Sequence, residues 1–222
     1  MTSLIEIQSA AKLLHGKVLR TPLIYSPTFS KMSGCEVYLK LESLQMGGSF
    51  KVRGATYKIQ THFKEVQGKG VVAASVGNHA QGVAIAARAA GVPARVFMPT
   101  WASLSKQEAT KSYGAEVVLE GNDLVESIDI AREDAIQSGR MFMHPYDDPD
   151  LIAGQETIGL EILEDLQDAD MIVVPVGGGG LMAGIAVASK ALSPDTKVLG
   201  IQATACPSAF EALRAGKPVR VE

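Results

Sequence analysis

The chain has 222 residues, of which 46% are hydrophobic and 20% are charged, and this composition is typical of one large or two small globular domains. Its formal net charge of -3 gives no indication of a nucleic-acid partner or of binding to an anionic membrane surface. No apolar run is long enough to span a bilayer, and residues 1–6 lack the basic and apolar parts of a secretion signal. The two cysteines, Cys35 and Cys206, have no metal-binding spacing, so we expect reduced thiols in a cytoplasmic protein.

From residue 50 onward, short apolar runs alternate with segments of helical length. The apolar runs predict strands at 71–74, 95–98, 116–119, 171–174 and 198–201. The other segments predict helices at 78–90, 103–113, 123–137, 151–166, 181–192 and 208–215. Glycines follow several of these helices, and glycine most readily adopts the left-handed conformation after a helix end. The alternation predicts an α/β protein in which crossover helices join parallel strands.

We expect two sheets that are mostly parallel and flanked by helices. One sheet would use the strands between about residues 70 and 146, and the other would use the N-terminal part of the chain with the strands after residue 170. The proline-rich, acidic stretch 144–149 marks the return crossing between them. The predicted domains are therefore a small domain of residues 50–146 and a large domain formed by residues 1–49 and 147–222.

Lys51 lies in a segment, residues 47–54, in which a lysine amine is a candidate for covalent chemistry. Two glycines and a serine lead into Phe50 and then into the lysine, at what reads as the start of a helix. An amine presented in this way at the mouth of a cleft is able to form a Schiff base with a carbonyl compound such as pyridoxal phosphate (PLP). Most lysines are solvated surface charges, however, so this segment alone favours the surface interpretation. Arg53 is interpreted as an ion-pair or a surface residue.

Four consecutive glycines, residues 177–180, follow the predicted strand at 171–174 and open the next helix. Glycine lets the backbone approach an anion closely, and a helix N-terminus adds a partial positive charge. The run therefore predicts a phosphate site, although glycines also serve in tight turns.

The identity of a phosphate ligand is narrowed by the residues around the glycines. Gly178, Gly180 and Ala183 fit the dinucleotide fingerprint, but Gln202 stands where that fingerprint requires an acidic residue. No lysine follows the glycines, which excludes a nucleoside-triphosphate loop of the Walker type. A smaller phosphate ligand fits better than NAD, and a nucleotide-binding α/β domain stays as a weaker alternative.

A further turn rich in small and hydrogen-bonding residues, 75–82, follows the strand predicted at 71–74. Ligands of open α/β sheets bind at such turns, and Ser75, Asn78 and the backbone N–H groups would hold a carboxylate or a ring hydroxyl. An ordinary helix N-cap is the structural alternative. His79, taken alone, is more typical of a packed structural histidine than of a catalytic one. The remaining histidines show no metal-ligand spacing, so no metal site is predicted.

Taken together, these segments resemble the PLP-dependent enzymes of fold type II, and among them most closely the serine/threonine dehydratases, also called threonine deaminases. The motifs that carry the resemblance are Ser49-Phe50-Lys51-Val52-Arg53-Gly54, Gly77-Asn78-His79-Ala80-Gln81-Gly82, His144-Pro145-Tyr146-Asp147-Asp148-Pro149, Ile152-Ala153-Gly154-Gln155 and Pro175-Val176-Gly177-Gly178-Gly179-Gly180-Leu181. The likeness extends over essentially the whole chain. It implies a fold like that of the tryptophan synthase β subunit and PLP as the cofactor.

The resemblance also implies a role for each matched residue. Lys51 binds the cofactor covalently and later takes the proton from the substrate Cα, Phe50 packs near the cofactor ring, and Asn78 hydrogen-bonds the ring hydroxyl. The cofactor phosphate is bound by the backbone N–H groups of Gly177, Gly178, Gly179, Gly180 and Leu181. The substrate carboxylate is bound by the loop that contains Ser75, Gly77, Asn78 and His79.

The implied reaction is the β-elimination of water from L-threonine, which gives 2-oxobutanoate and ammonia. The substrate is then a small amino acid, and we expect a cytoplasmic homo-oligomer that serves in isoleucine biosynthesis. Serine racemase of the same fold is the alternative. It carries a serine where this chain has Val76, and an acidic metal ligand where this chain has Gln202, so racemisation and metal binding are disfavoured. Gly47 replaces a threonine that is common in the family.

Length gives a second alternative. Members of the family continue well past residue 222, so the resemblance implies a chain that is truncated at its C-terminal end. The absent part would supply more of the large domain. An inactive fragment that still folds and binds phosphate is therefore the other hypothesis for this chain.

Overall fold

A computed structural model describes residues 4–219 of the chain. The helices in this range are α1 (Leu4–Leu14), α2 (Pro27–Ser33), α3 (Lys51–Thr61), α4 (Phe63–Val66), α5 (Asn78–Ala90), α6 (Leu104–Ser112), α7 (Leu124–Ser138), α8 (Pro149–Asp165), α9 (Gly180–Leu192) and α10 (Ser208–Ala215). The strands are β1 (Leu23–Tyr25), β2 (Tyr38–Lys40), β3 (Val71–Ala74), β4 (Ala94–Met98), β5 (Glu116–Leu119), β6 (Met141–Met143), β7 (Met171–Pro175) and β8 (Lys197–Ile201). Two short 3-10 turns, Glu42–Leu44 and Met46–Gly48, precede α3. No helix in the described range has both the length and the apolar character needed to cross a membrane.

The fold divides into two compact units. The first, called here the lysine unit, comprises residues 13–145 and contains Lys51. The second, called the glycine-loop unit, comprises the residues before position 13 together with those from Tyr146 onward. The domain division expected from the sequence stays a prediction; residues 13–49, which it assigns to the large domain, lie in the lysine unit.

A parallel sheet with the strand order β5-β4-β3-β6 forms the core of the lysine unit. Its central strand β3 is buried along its whole length. Val71 and Ala73 belong to a core cluster with side chains of α3 and α5, whereas Val72 and Ala74 pack with Ala131 of α7. Helices therefore cover both faces of the sheet, which explains why β3 is a continuous apolar run and not an alternating one.

The N-terminal strands form a separate antiparallel pair. In this pair Leu23 lies opposite Lys40, and Tyr25 lies opposite Tyr38. The expectation that the N-terminal part shares a sheet with the strands after residue 170 is not met within residues 4–219, because β7 and β8 form their own sheet. The physical reason is that the connection through α2 brings β2 back alongside β1. The two short strands therefore form their backbone hydrogen bonds with each other in an antiparallel pair.

The glycine-loop unit combines the parallel pair β7 and β8 with closely packed helices. A Cβ atom on Gly159 of α8 would lie 2.7 Å from the Cβ atom of Ala188 in α9. A Cβ atom on Gly184 of α9 would lie 2.8 Å from the backbone nitrogen of Glu156. Small residues therefore let α8 and α9 approach each other closely, and Ile7 of α1 packs with Ala188 beside them.

All the strands and helices named from the sequence are present, with ends shifted by at most two residues. The helix ends at Gly91 and Gly139 were also predicted correctly, because both glycines have left-handed backbones with φ of 68° and 69°. The α/β prediction is confirmed, and the alternation of strand and helix places the turns at residues 75–77 and 176–179 directly after β3 and β7.

Candidate active site

Lys51 is the first residue of α3, and its amine is held inside the lysine unit. The Nζ atom donates a hydrogen bond to the carbonyl oxygen of Pro145 at 2.5 Å and lies 5.3 Å from the centre of the Phe50 ring. Burial lowers the pKa of Lys51 from 10.5 to about 8, because the charged ammonium loses hydration. At mildly alkaline pH this side chain therefore holds a large fraction of neutral, nucleophilic amine.

A close approach of α5 to α3 fixes the backbone at Lys51. A Cβ atom on Gly82 of α5 would lie 2.9 Å from the carbonyl carbon of Lys51 and 3.0 Å from the nitrogen of Val52. Only glycine permits contacts this short. No separate role was predicted for Gly82 from the sequence. Its one signal is a glycine inside a predicted helix, where it lowers helix stability unless packing requires it.

A buried ion pair anchors the first turn of α3. Arg53 is completely buried, and its guanidinium donates to the two carboxylate oxygens of Glu42 at 2.8 and 2.9 Å. The guanidinium also donates to the Leu19 carbonyl oxygen at 3.1 Å, and the Thr21 hydroxyl donates to Glu42 at 2.5 Å. The ion-pair interpretation of Arg53 is thereby confirmed. A two-point contact of this kind is the arrangement in which a buried guanidinium is best tolerated.

The turn after β3 ends at the start of α5. Ser75 accepts a hydrogen bond from the Gly77 N–H group through its side-chain oxygen at 3.1 Å. Gly77 is the N-cap of α5, and no side chain among the described residues caps the helix, so the structural alternative of a serine or asparagine N-cap is not found. Asn78 is the first residue of α5. Because the first N–H groups of α5 lack a side-chain cap, the turn before this helix is compatible with the binding of a carboxylate.

His79 and Val76 both pack within the lysine unit. The ring Nε2 atom of the buried His79 lies 2.9 Å from the carbonyl oxygen of Met143 and so links α5 to β6. This matches the structural interpretation of His79, while its role in substrate binding stays a prediction. Val76 packs against the core cluster of the unit, and its aliphatic side chain has no proton to exchange.

The four consecutive glycines lie in the glycine-loop unit, between β7 and α9. Gly179 is the N-cap of α9 and has a φ of 89°, a conformation that glycine alone adopts readily. A Cβ atom on Gly177 or Gly179 would meet none of the described residues within 4 Å, so one side of this loop is open. No described side chain caps the helix, which leaves its first N–H groups available to an anion. The residues present therefore fit a phosphate group.

The predicted site residues divide between the two units. Phe50, Lys51 and the turn 75–79 lie in the lysine unit, where the contact at Gly82 ties the helix that follows this turn to the lysine backbone. Residues 177–181 lie in the glycine-loop unit. Between residues 4 and 219, no group of three or more histidine, cysteine, aspartate or glutamate side chains is arranged to hold a metal ion.

A sequence model of the family described as "Pyridoxal-phosphate dependent enzyme" matches residues 14–222. The chain belongs to this family. The partly buried amine of Lys51, with its lowered pKa, suits an aldehyde, and the open glycine loop suits a phosphate. PLP carries both of these groups.

Relatives of this PLP-dependent chain extend beyond it in length. An L-threonine ammonia-lyase of Thermotoga maritima is 50% identical over 222 residues, which cover 100% of this chain and 55% of that protein. A threonine deaminase from T.th. has a TM-score of 0.92 and 42% identity, covering 100% of this chain and 71% of that one. Maize serine racemase has a TM-score of 0.95 and 33% identity, covering 99% of this chain and 67% of that one. The chain spans about half the length of the curated relatives that it matches.

The family match and these likenesses confirm three predictions from the sequence. The chain has the α/β fold of the PLP-dependent enzymes of fold type II, it is similar to threonine ammonia-lyases, and its family cofactor is PLP. The roles of individual site residues stay predictions.

Proposed function

We propose that this chain carries the cofactor site of a threonine dehydratase, a lyase that converts L-threonine into 2-oxobutanoate and ammonia. The observation that carries the proposal is the partly buried amine of Lys51, with a pKa of about 8, at the start of a helix in a PLP-dependent family. The names of the Thermotoga maritima and T.th. proteins support threonine as the substrate. Water leaves threonine in the elimination and is taken up again when ammonia is released, so the reaction balances.

The residues of this chain would hold the cofactor at several points. Lys51 would bind it covalently through Nζ, Phe50 would pack near its ring, and Asn78 would hydrogen-bond its ring hydroxyl. The backbone N–H groups of residues 177–181 would bind its phosphate, which is consistent with the open side of the glycine loop. When bound, PLP supplies an electron sink for the charge that develops at the substrate Cα.

Lys51 would also act as the base of the reaction. In its neutral form, the Nζ atom would take the proton from the substrate Cα. A pKa of about 8 suits this role, because a base works best when its pKa lies near the working pH. The turn that contains Ser75, Gly77, Asn78 and His79 would bind the substrate carboxylate and so orient the Cα–H bond toward the amine.

Serine racemase activity is the second candidate, because maize serine racemase matches this chain with a TM-score of 0.95. Racemisation requires a second acid–base group on the face of the substrate opposite the lysine. The resemblance places Val76 at that position, and Val76 packs against the core of the lysine unit. Elimination is therefore favoured. Assays of 2-oxo acid release and of D-serine formation on the same sample separate the two activities, and D-serine as the main product would contradict the proposal.

Borohydride reduction in the presence of PLP tests the cofactor site directly. We expect the reduced label on the peptide that contains Lys51, as measured by mass spectrometry. Lys58 is an internal control in the same helix, because it is buried, whereas Lys51 is partly buried, and it likewise donates to a backbone carbonyl oxygen, that of Phe142 at 3.2 Å. Labelling of Lys58 but not of Lys51 would contradict the proposal. No label on either lysine would favour the inactive phosphate-binding fragment.

We further propose that the protein is a cytoplasmic homo-oligomer without a membrane or nucleic-acid partner, which the net charge of -3 supports. Sedimentation equilibrium tests the oligomer. A place in isoleucine biosynthesis remains part of this proposal. The name of a 47% identical Escherichia coli relative, a catabolic L-threonine dehydratase, supports a catabolic role as the alternative.

A further inference from the structure

Tyr146 packs directly against the glycine loop within the glycine-loop unit. A Cβ atom on Gly178 would overlap the Cγ atom of the Tyr146 ring and lie 2.5 and 2.6 Å from its Cδ1 and Cδ2 atoms. A Cβ atom on Gly180 would lie 2.7 Å from the Tyr146 carbonyl oxygen. A Cβ atom on Gly177 or Gly179 would meet none of the described residues within 4 Å. The second and fourth glycines of the loop therefore face Tyr146, whereas the first and third face open space.

The ring of Tyr146, and not the backbone conformation, explains why residue 178 is a glycine. The φ angle of Gly178 lies outside the positive range that other residues rarely adopt, so its φ does not by itself require glycine. Gly179 differs, because its φ of 89° requires glycine whatever space surrounds it. The obstacle to a side chain at position 178 is therefore the aromatic ring.

Tyr146 lies in the short segment that leads into α8. Asp148 caps this helix by accepting hydrogen bonds from the N–H groups of Asp150 at 3.0 Å and Leu151 at 3.3 Å. The close contact between Gly159 of α8 and α9 joins the two helices, and the glycine loop leads directly into α9. Tyr146 and the glycine loop therefore each lead into one helix of a closely packed pair.

We propose that Tyr146 is a positioning residue for the phosphate-binding loop. Its ring and carbonyl oxygen support the loop on one side and keep the N–H donors turned toward the open side. This inference rests on the proposed role of residues 177–180 in binding the cofactor phosphate. Without the ring, four consecutive glycines would sample many conformations, and the phosphate would have to order them on binding. Tyr146 thus raises phosphate affinity without touching the phosphate.

The test compares the binding of PLP with the binding of pyridoxal, which has the same aldehyde but no phosphate. We expect Tyr146→Ala to weaken PLP binding about tenfold and to change pyridoxal binding less than about twofold in equilibrium dialysis. Tyr146→Phe keeps the ring and should restore most of the affinity for PLP. Tyr25→Ala is a matched control, because Tyr25 is 48% exposed and Tyr146 is 41% exposed, and Tyr25 lies in the lysine unit. An equal loss of affinity for both ligands in Tyr146→Ala would overturn the proposal.

A substitution on the loop provides an independent variant. In Gly178→Ala the added methyl group collides with the ring, so we expect a loss of PLP affinity of about tenfold or more. In the double variant Tyr146→Ala with Gly178→Ala, the methyl group has space, and PLP should bind no more weakly than to Tyr146→Ala alone. Losses that simply add in the double variant would show that the two residues act independently and would overturn the proposal.

The same measurements separate a failure of this inference from a failure of the proposed function. If the unmodified chain binds PLP no more tightly than pyridoxal, the phosphate-binding role of the glycine loop fails, and the proposed function fails with it. If the unmodified chain prefers PLP and Tyr146→Ala keeps the full preference, only the positioning role of Tyr146 fails.

Discussion

The central strand of the lysine unit and the first strand of the glycine-loop unit have similar apolar sequences but different surroundings. All residues of β3 are buried, because helices cover both faces of its sheet. In β7, Ile172 and Val174 are buried, whereas Met171 and Val173 are exposed within the part of the chain that the structure describes. An apolar run therefore predicts a strand reliably, but it does not say how many faces of that strand are covered.

An aspartate in the enclosed sheet should have the largest effect. Val72→Asp would bury a carboxylate without a partner, because Val72 is fully buried on the face of β3 that packs against α7. We expect the free energy of unfolding to fall by about 4 kcal/mol or more, or the chain to fail to fold. Urea denaturation followed by circular dichroism measures this change. A loss below about 1 kcal/mol would mean that this face of β3 is not enclosed.

Removing a buried charge should have the next largest effect. Arg53→Ala would leave the Glu42 carboxylate without the guanidinium in the interior of the lysine unit, and we expect a loss of about 3 kcal/mol in the free energy of unfolding. Arg95→Ala is the control, because the Arg95 side chain is 26% exposed and pairs with Glu116 at 2.8 Å and with Asp134 at 2.5 Å. Arg140 stays beside Asp134 at 3.6 Å, so the loss of Arg95 should cost about 1 kcal/mol or less. Equal losses of the free energy of unfolding in Arg53→Ala and Arg95→Ala would contradict the conclusion that burial makes the Arg53 pair the more important one.

The pH dependence of stability tests whether the amine of Lys51 is shielded from water in the lysine unit. Its pKa of about 8 in the folded chain lies below its ordinary value of 10.5, so between these pH values the unfolded chain binds more protons. Without cofactor, stability should therefore rise as the pH increases from about 8 to about 10.5, and this gain should be absent at lower pH, where both states carry the charge. Lys51→Met should remove this rise. Identical pH profiles for Lys51→Met and the unmodified chain in urea denaturation would contradict an enclosed amine.

The smallest effect is expected on the exposed face of β7. Val173 is 57% exposed, so Val173→Asp should change the free energy of unfolding by no more than about 0.5 kcal/mol. The comparison with Val72→Asp uses the same substitution on a similar strand, so it isolates burial as the variable. A loss as large as that of Val72→Asp would show that something covers this face in solution.

Features that depend on neighbouring residues were predictable from the sequence. The boundaries of α5 follow from an alanine-rich segment that stops at Gly91, and the glycine there has the expected left-handed backbone. The importance of Lys51 is different, because its own segment favoured a surface lysine and only several motifs in family order predicted a cofactor lysine; its lowered pKa supports that prediction.

Contacts between residues that are distant in the sequence were not predictable. Nothing near Gly178 indicates that the Tyr146 ring lies against it, and nothing near Arg53 identifies Glu42 as its partner. The antiparallel pairing of β1 with β2 was missed for the same reason, because very short strands carry little periodic signal. In each case the deciding factor is tertiary packing.

Because Gly82 lets α5 lie directly on the backbone of Lys51, the helix that follows the Ser75 turn and the helix that begins with the lysine form one rigid pair. The entropy of fixing the amine relative to this turn is therefore lost once, when the chain folds, and not each time a substrate binds. A substitution as small as Gly82→Ala would force the two helices apart and move part of that entropic cost into every binding event.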